Sequence, residues 1–395
     1  MLYYNWGLTE VQVEIRDPIH GTIDLSELET DIIDSVIFQR LRAIKQLGFA
    51  EFSFPGAVHN RYIHSIGVCH LAGLAFDSIF KDYKFTSSKK LQQLRQAVRV
   101  AALLHDVGHG PLSHTTEEVM PTRKSLDIKI YELRKDGGKT GEHDVANHED
   151  YTIKFITDSN LPPIINDNGV GLTATHVACL VDKSLVCPDD FFKDGSLDFR
   201  PILSQIVSSE MDVDRMDYLG RDSYFCGTNY GQVELEWLLA HMTYHIEEDN
   251  VFLALNRRAL YTFDDFLLSR HHMHLMVYFH HKSIIYEEML LRYLTSKDCQ
   301  FRLPADINEY IKFTDYALYE HLSDAANPWA QRIAQREPFK MLYELHSVKP
   351  NDRCARMKKD LEKQGFEVIH ANSTTRLSKY HTASEEERSY KIYVV

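Results

Sequence analysis

The stretch from Val100 to His114, VAALLHDVGHGPLSH, sets His105, Asp106, His109 and His114 within ten residues, directly after an apolar run. Such a density of imidazole and carboxylate has two physical readings. Either polar residues hydrate the last turn of a helix that ends there, or the helix delivers nitrogen and oxygen ligands into a pocket. Helical geometry bears on the choice. Leu94, Val98, Ala101 and His105 fall at i, i+4, i+7 and i+11, one stripe of an amphipathic helix, so His105 follows the buried face. His64 does the same in NRYIHSIGVCHLAGLA, on a stripe with Val68, Leu71 and Ala75, and SSEMDVDRMDYLGRD carries Asp214, Asp217, Tyr218 and Arg221 at i, i+3, i+4 and i+7. Buried imidazoles and carboxylates need partners, and one shared metal ion satisfies several at once. His64, His105, Asp106 and Asp214 would form a nitrogen and oxygen set without thiolate. That set suits Mn, Fe, Ni, Mg or Zn with open water positions, unlike a closed structural zinc site.

The order H…HD…D, with HDVGHGPLSH, resembles the HD superfamily of metal-dependent phosphohydrolases. DPIHGTIDL, IIDSVIFQRLRAIKQLG, FPGAVHNRYIHSIGV and DVDRMDYLGRDS, in that order, are similar to the sterile-alpha-motif/HD-domain deoxynucleotide triphosphohydrolases and their bacterial relatives. The resemblance covers roughly residues 14–300. The chain starts close to the catalytic core, so the sterile-alpha-motif domain is not expected. The resemblance implies that His64, His105, Asp106 and Asp214 hold the metal, manganese among the candidates. It also implies cleavage of a dNTP between the 5′ oxygen and the α-phosphorus, releasing deoxynucleoside and inorganic triphosphate. Metal binding lowers the pKa of water and polarises a phosphoryl oxygen, and a protonated imidazole can protonate the departing alkoxide.

The same resemblance makes His114 the proton donor, with Glu117 near it and His109, His148 and Glu149 completing the polar shell. Arg215, Tyr218 and Asp222 stand at i, i+3 and i+7 of one helix, a span of about 10 Å. By resemblance Arg215, a lysine in the vertebrate enzymes, meets phosphate, Tyr218 the sugar face and Asp222 the 3′-hydroxyl. Gln46 is implied as the second 3′-hydroxyl partner, with Leu47 packing on the sugar. Arg270, His274 and Tyr278 form a further i, i+4, i+8 stripe. Arg270 and Arg61 are implied as phosphate ligands, and Tyr278 as the group that crowds the 2′ position against ribonucleotides. Asp34, Gln39 and Arg42 match an activator site for GTP or dGTP between subunits of a homo-oligomer, a dimer or tetramer. The lysine that holds the activator phosphates there is Val13 here. Arg270 also reads plainly as a solvated arginine, and Asp34, Gln39 and Arg42 as ordinary interhelical polar contacts. Two alternatives compete: another HD phosphohydrolase (a phosphodiesterase, a nuclease or a guanosine tetraphosphate hydrolase), and a catalytically silent nucleotide sensor.

The elements that must position these groups are mostly helices. Ile32, Ile33, Val36, Leu41, Ile44 and Leu47 recur at helical intervals, as do Val68, Leu71 and Ala75, and the stretch from Leu91 to Leu104 repeats the pattern. NVFLALN at 250–256 reads as one strand of a hairpin, and residues 121–147, with KDGGKTG, as an inserted loop or hairpin. Beyond residue 330, PFKMLYELHSV, FEVIHA and YKIYVV read as strands and NDRCARMKKDLEKQG as a helix stopped by Gly365. The expected fold class is mainly α: a helical HD-domain body over 1–329, with a small C-terminal α+β lobe over 330–395.

Composition bounds the rest. The 395 residues are 44% hydrophobic, enough for a large core. Lys and Arg number 44 against 57 Asp and Glu, a net charge of −13, and an acidic surface weighs against extended nucleic-acid binding. A few arginines in one cleft can still hold a small phosphorylated ligand. No apolar run approaches the roughly 20 residues that span a bilayer, and MLYYNWGLTEVQVEIRDP does not read as a secretory signal. Six scattered cysteines without a CxxC read as reduced thiols, so the expected location is cytoplasmic.

Overall fold

A computed structural model describes residues 13–139, 141–345, 352–371 and 392–395. Strands Val13–Asp17 and Gly21–Leu25 pair antiparallel, Ile15 opposite Ile23. Their turn needs the left-handed backbone that Gly21 adopts at φ +76°. Asp17 closes that turn by accepting from the amides of Ile19 and His20 at 2.8 and 2.9 Å. A helix over Glu27–Asp34 follows, capped by Ser26 and Glu29 reciprocally.

The continuous helix expected through Leu47 is instead broken. Ser35 turns extended (φ −63°, ψ 144°) and its hydroxyl caps a new short helix, Val36–Gln39, which tightens into a 3₁₀ turn over Arg40–Ala43. Ile32, Ile33, Leu41 and Ile44 remain buried, but the change of axis leaves Val36 71% exposed and Leu47 only half-buried. A serine cap placed inside an apolar period has overridden that period.

Three helices form the layer that carries the expected ligands. Arg61–Ile79, capped by Asn60, is buried on nearly all sides. Ser88–Leu104, capped by Ser87, packs along it. Val213–Cys226, capped by Asp212 and stopped by Gly227 in the left-handed region, crosses it. The helix His148–Asp158 covers the end of this layer. Of the loop or hairpin expected over 121–147, the described residues form a loop. Two short helical turns, Arg123–Leu126 and Lys129–Leu133, are tied at the base by the Thr122–Val145 bridge. Asp150 pins the loop to the body, accepting from Tyr131 Oη at 2.5 Å and Arg123 Nε at 2.9 Å.

The hairpin at 250–256 is present: Asn250–Leu255 pairs antiparallel with Met242–Glu247. Tyr393–Val394 adds to the other edge of Asn250–Leu255 in parallel, so the expected last strand exists and joins the sheet of the body. Of the strand expected over 338–348, residues 338–345 form none and 346–348 lie outside the described residues; 366–371 forms none either, while Arg353–Lys363 is helical and Gly365 sits at φ +86°. A strand needs an edge to pair with. Tyr393–Val394 takes the edge beside Asn250–Leu255, and Phe366 in the unpaired segment lies 61% exposed. The molecule is mainly α, as its periodicity predicts. Among the described residues no helix is long and apolar enough to cross a membrane.

Candidate functional site

Three helix ends converge on one point. His64 comes from the first turn of Arg61–Ile79, His105 and Asp106 from the end of Ser88–Leu104, and Asp214 from the first turn of Val213–Cys226. His64 Nε2 lies 3.1 Å from Asp214 Oδ1 and 3.7 Å from Asp106 Oδ2. His105 Nε2 lies 3.5 Å from Asp214 Oδ1 and 3.4 Å from Asp106 Oδ1. These are the separations of atoms that share one cation at bond lengths of about 2.0–2.2 Å.

The donor set fits a divalent cation on a second count. His64 Nδ1 donates to Asp217 Oδ2 at 2.8 Å and His105 Nδ1 to the Ala102 carbonyl at 2.7 Å. Both rings therefore turn Nε2 inward, and both Nε2 atoms are buried without a hydrogen-bond partner. Burial opposes a charge on His64, yet the adjacent carboxylates of Asp214 and Asp217 outweigh it and push its pKa up to about 10. Cation and proton thus compete for the same nitrogen. Asp106 is held well below the usual carboxylate range: burial raises it, and His105 and Arg61 overcome that.

Beside the cluster stands a second group. His109 stacks on His148 at 3.8 Å between centroids, and His114 meets both edge-on. Burial and the nearby Arg61 charge hold the His109 pKa well below its ordinary value. Glu117 accepts from His148 Nδ1 at 2.6 Å and from the exposed His114 at 3.1 Å. Burial raises the Glu117 pKa, but these hydrogen bonds bring it down to about 2. Glu149 is exposed and lines the mouth of a cavity of about 440 Å³, which His105, Asp214 and Arg215 also line.

The residues expected to hold sugar also meet. Tyr278 Oη donates to Asp222 Oδ2 at 2.7 Å, and Tyr218 approaches Tyr278 edge-on. Asp222 Oδ1 is engaged by His59 Nε2 at 2.8 Å, a partner that sequence spacing did not mark. Gln46 Oε1 is buried without a partner, and Leu47 packs against the core. The Arg270–Tyr278 stripe is not regular α-helix: the chain widens after Met273, with the Phe279 amide reaching back to the His274 carbonyl at 2.8 Å. Such wide turns recur at functional sites. Here the extra residue brings Tyr278 to Asp222, while His274 Nδ1 donates to the Arg270 carbonyl at 2.8 Å.

Each expected phosphate ligand is already paired. Arg61 meets Asp106 and Ser113, Arg215 meets Asp212, and Arg270 meets Glu210 at 3.2 Å. Asp34 is exposed, while Gln39 and Arg42 are tied within the chain: Arg42 Nε donates to Gln39 Oε1 at 2.8 Å, and its guanidinium lies 3.6 Å from the Tyr62 ring centroid. His20, Asp217 and Arg221, behind His64, were not marked as site residues. Asp217 and Arg221 shared the stripe of Asp214 and were legible there, but no periodicity flagged His20.

A further cluster, His176, Cys187 and Asp189, has the residue types of a metal site but not its protonation. His176 Nδ1 accepts from the Thr173 amide at 3.1 Å, so Nε2 carries the proton and donates to Asp189 at 3.0 Å. No nitrogen lone pair faces the thiol and carboxylate.

Residues 61–222 match the HD domain family and residues 233–374 the HD associated region. An uncharacterized protein of Methanocaldococcus jannaschii is 31% identical over 341 residues, 86% of this chain and 62% of that protein. A deoxynucleoside triphosphate triphosphohydrolase SAMHD1 homolog of Dictyostelium discoideum is 31% identical over 312 residues, 77% of this chain and 54% of that protein. The chain thus spans a little over half the length of these curated relatives. The crystal structure of a hypothetical protein from Aquifex aeolicus superposes with a TM-score of 0.68 at 28% identity, covering 89% of this chain and 82% of that one.

Proposed function

This chain carries an HD domain followed by an HD-associated region, and from that premise we propose that it is a metal-dependent dNTP triphosphohydrolase. HD domains are metal-dependent hydrolases in general, and the substrate is the finer step. The observation that carries it is the Asp222 carboxylate held between His59 and Tyr278 on the helix that supplies Asp214. A rigid acceptor beside a tyrosine suits a 3′-hydroxyl and leaves little room for a 2′-hydroxyl. Relatives named as dNTP triphosphohydrolases support the same reading.

In this reading His64, His105, Asp106 and Asp214 hold a divalent cation, which when bound supplies Lewis-acid polarisation of the α-phosphate and a more acidic water. The protein's own groups do the rest. Arg61, Arg215 and Arg270 exchange carboxylate partners for phosphate oxygens, which offer charge-assisted hydrogen bonds of similar geometry. Water adds to the α-phosphorus as its bond to the 5′ oxygen breaks. His114, oriented by Glu117, gives that oxygen a proton. His109 and His148, stacked beside it, shape the pocket wall. The products are deoxynucleoside and inorganic triphosphate. Asp34, Gln39 and Arg42 are the place for a guanine nucleotide activator in a homo-oligomer.

The test is incubation with each dNTP and each NTP, with and without GTP or dGTP, followed by chromatography. Deoxynucleoside and triphosphate in equal amounts are expected, with dNTPs turned over much faster than NTPs. Release of pyrophosphate or orthophosphate, or equal turnover of ATP and dATP, would overturn the reading.

A further inference from the structure

Behind the metal site lies a block that the reaction does not use, and it accounts for the DPIHG motif. Asp217 is fully buried, one turn beyond Asp214. Its Oδ2 accepts from His64 Nδ1 and Arg221 Nε, both at 2.8 Å. Its Oδ1 accepts from Arg221 Nη2 at 2.8 Å and His20 Nε2 at 2.6 Å. Both oxygens are filled by donors from three separate parts of the chain.

Asp17 closes the circuit. One of its oxygens accepts from Arg221 Nη1 at 2.8 Å, while the other holds the amides of Ile19 and His20 and so fixes the turn that carries the His20 ring. Gly67, three residues after His64, provides the space. A Cβ there would stand 2.0 Å from Asp217 Oδ1 and 2.4 Å from Arg221 Nη2. The absence of a side chain at Gly67 lets the carboxylate reach the His64 ring.

We infer that His20 is a positioning residue for His64, acting through Asp217. The inference rests on the reading of His64 as a metal ligand. A metal-bound imidazole needs its other nitrogen fixed by an oriented acceptor. Asp217 can hold one orientation because it is pinned from both ends, by Arg221 and by His20. Without His20, Oδ1 loses its shortest hydrogen bond, the carboxylate is held from the Arg221 side alone and can shift with that side chain, and the His64 Nε2 lone pair no longer keeps one direction. The hairpin at 13–25 is thus part of the metal site although it contributes no ligand.

The experiment measures Co²⁺ affinity of the full chain by competition with a fluorescent chelator, alongside the Co²⁺ absorption spectrum. His20→Leu should weaken binding about tenfold or more, within the about 10–100-fold range for outer-shell partners of metal ligands. His20→Gln, which returns an amide donor near the position of Nε2, should recover most of that loss. Glu29→Gln serves as the structural control. It disturbs the buried pair that Glu29 makes with Arg99 at 2.6 Å, away from Asp217, and should lower the melting temperature while leaving Co²⁺ affinity unchanged. Should His20→Leu not fold, His20→Asn, which stops short of Asp217, takes its place. Unchanged affinity in the His20 variants, or an equal loss in Glu29→Gln, would overturn the inference. Wild-type affinity in His64→Ala would instead remove the metal reading on which it stands, so the two failures are distinct.

Discussion

His64 and His176 are both buried histidines beside an aspartate, and their ring nitrogens are used in opposite ways. At His64, Nδ1 donates to Asp217 and Nε2 is left buried without a hydrogen-bond partner toward Asp106 and Asp214. At His176, Nδ1 accepts from the Thr173 amide at the start of the helix Ala174–Val181, and Nε2 donates to Asp189. The first arrangement is open and needs a cation or a proton to complete it. The second is closed: it caps a helix and stacks on Phe191 at 4.0 Å. Residue composition does not separate a ligand set from a capping box. What Nδ1 touches does.

The largest effect that tests this difference is on metal content. His64→Ala should lose detectable bound Co²⁺ and detectable turnover with its helical circular dichroism retained, whereas His176→Ala should bind Co²⁺ as the parent does. Loss of the metal from His176→Ala, at equal folded fraction, would erase the distinction.

His114→Ala comes next. It should lower kcat by about 10²–10⁴-fold, as for a lost general acid, with metal retained. A near-normal kcat would move the proton donor to His109 or His148.

If Arg270 clamps the triphosphate as proposed, Arg270→Ala removes a charge-assisted hydrogen bond worth about 1.5–3 kcal/mol. If the clamp binds ground and transition states alike, the loss is read as a raised KM at constant kcat. A fall in kcat alone would place Arg270 in the transition state only.

On the closed side the effects are small. His176→Ala should cost about 1 kcal/mol of stability, typical of a lost cap, seen as a shift in melting temperature without change in kcat.

The smallest effect is on pH dependence. Slight burial pushes the Asp189 pKa up, but the Phe191 amide and His176 pull it below its ordinary value. A depressed carboxylate pKa contributes stability that is present above the unfolded pKa, near 4, and is lost as pH falls through the folded value. With its side chain 55% exposed, the pair is worth about 0–1 kcal/mol at most. The melting temperatures of the parent and Asp189→Asn should differ slightly at pH 6 and converge as pH falls below the ordinary carboxylate range. A difference that grows on acidification would reverse the assignment.

Much of the fold was legible because it follows local periodicity. The stripes of His64 and His105 pointed inward as helical spacing required, and the hairpin strand read at 250–256 is present. The failures have local causes as well. Ser35 caps a new helix inside an apolar period and leaves Val36 exposed, and the segment at 366–371 found no strand edge to join.

By itself the sequence determined which helices have an apolar face and which titratable groups lie on those faces, because both depend on a 3.6-residue repeat within one segment. It also carried the motif order on which the family resemblance rests. Only the tertiary structure decided how each histidine is used. At His64 the partner that chooses between Nδ1 and Nε2 comes from a distant segment. Asp217 stands 153 residues from His64 and 197 from His20, and a hydrogen bond between such groups leaves no period in the chain. At His176 the selecting amide is only three residues away, yet it selects Nδ1 only once the helix has formed and turned the ring back over its own first turn.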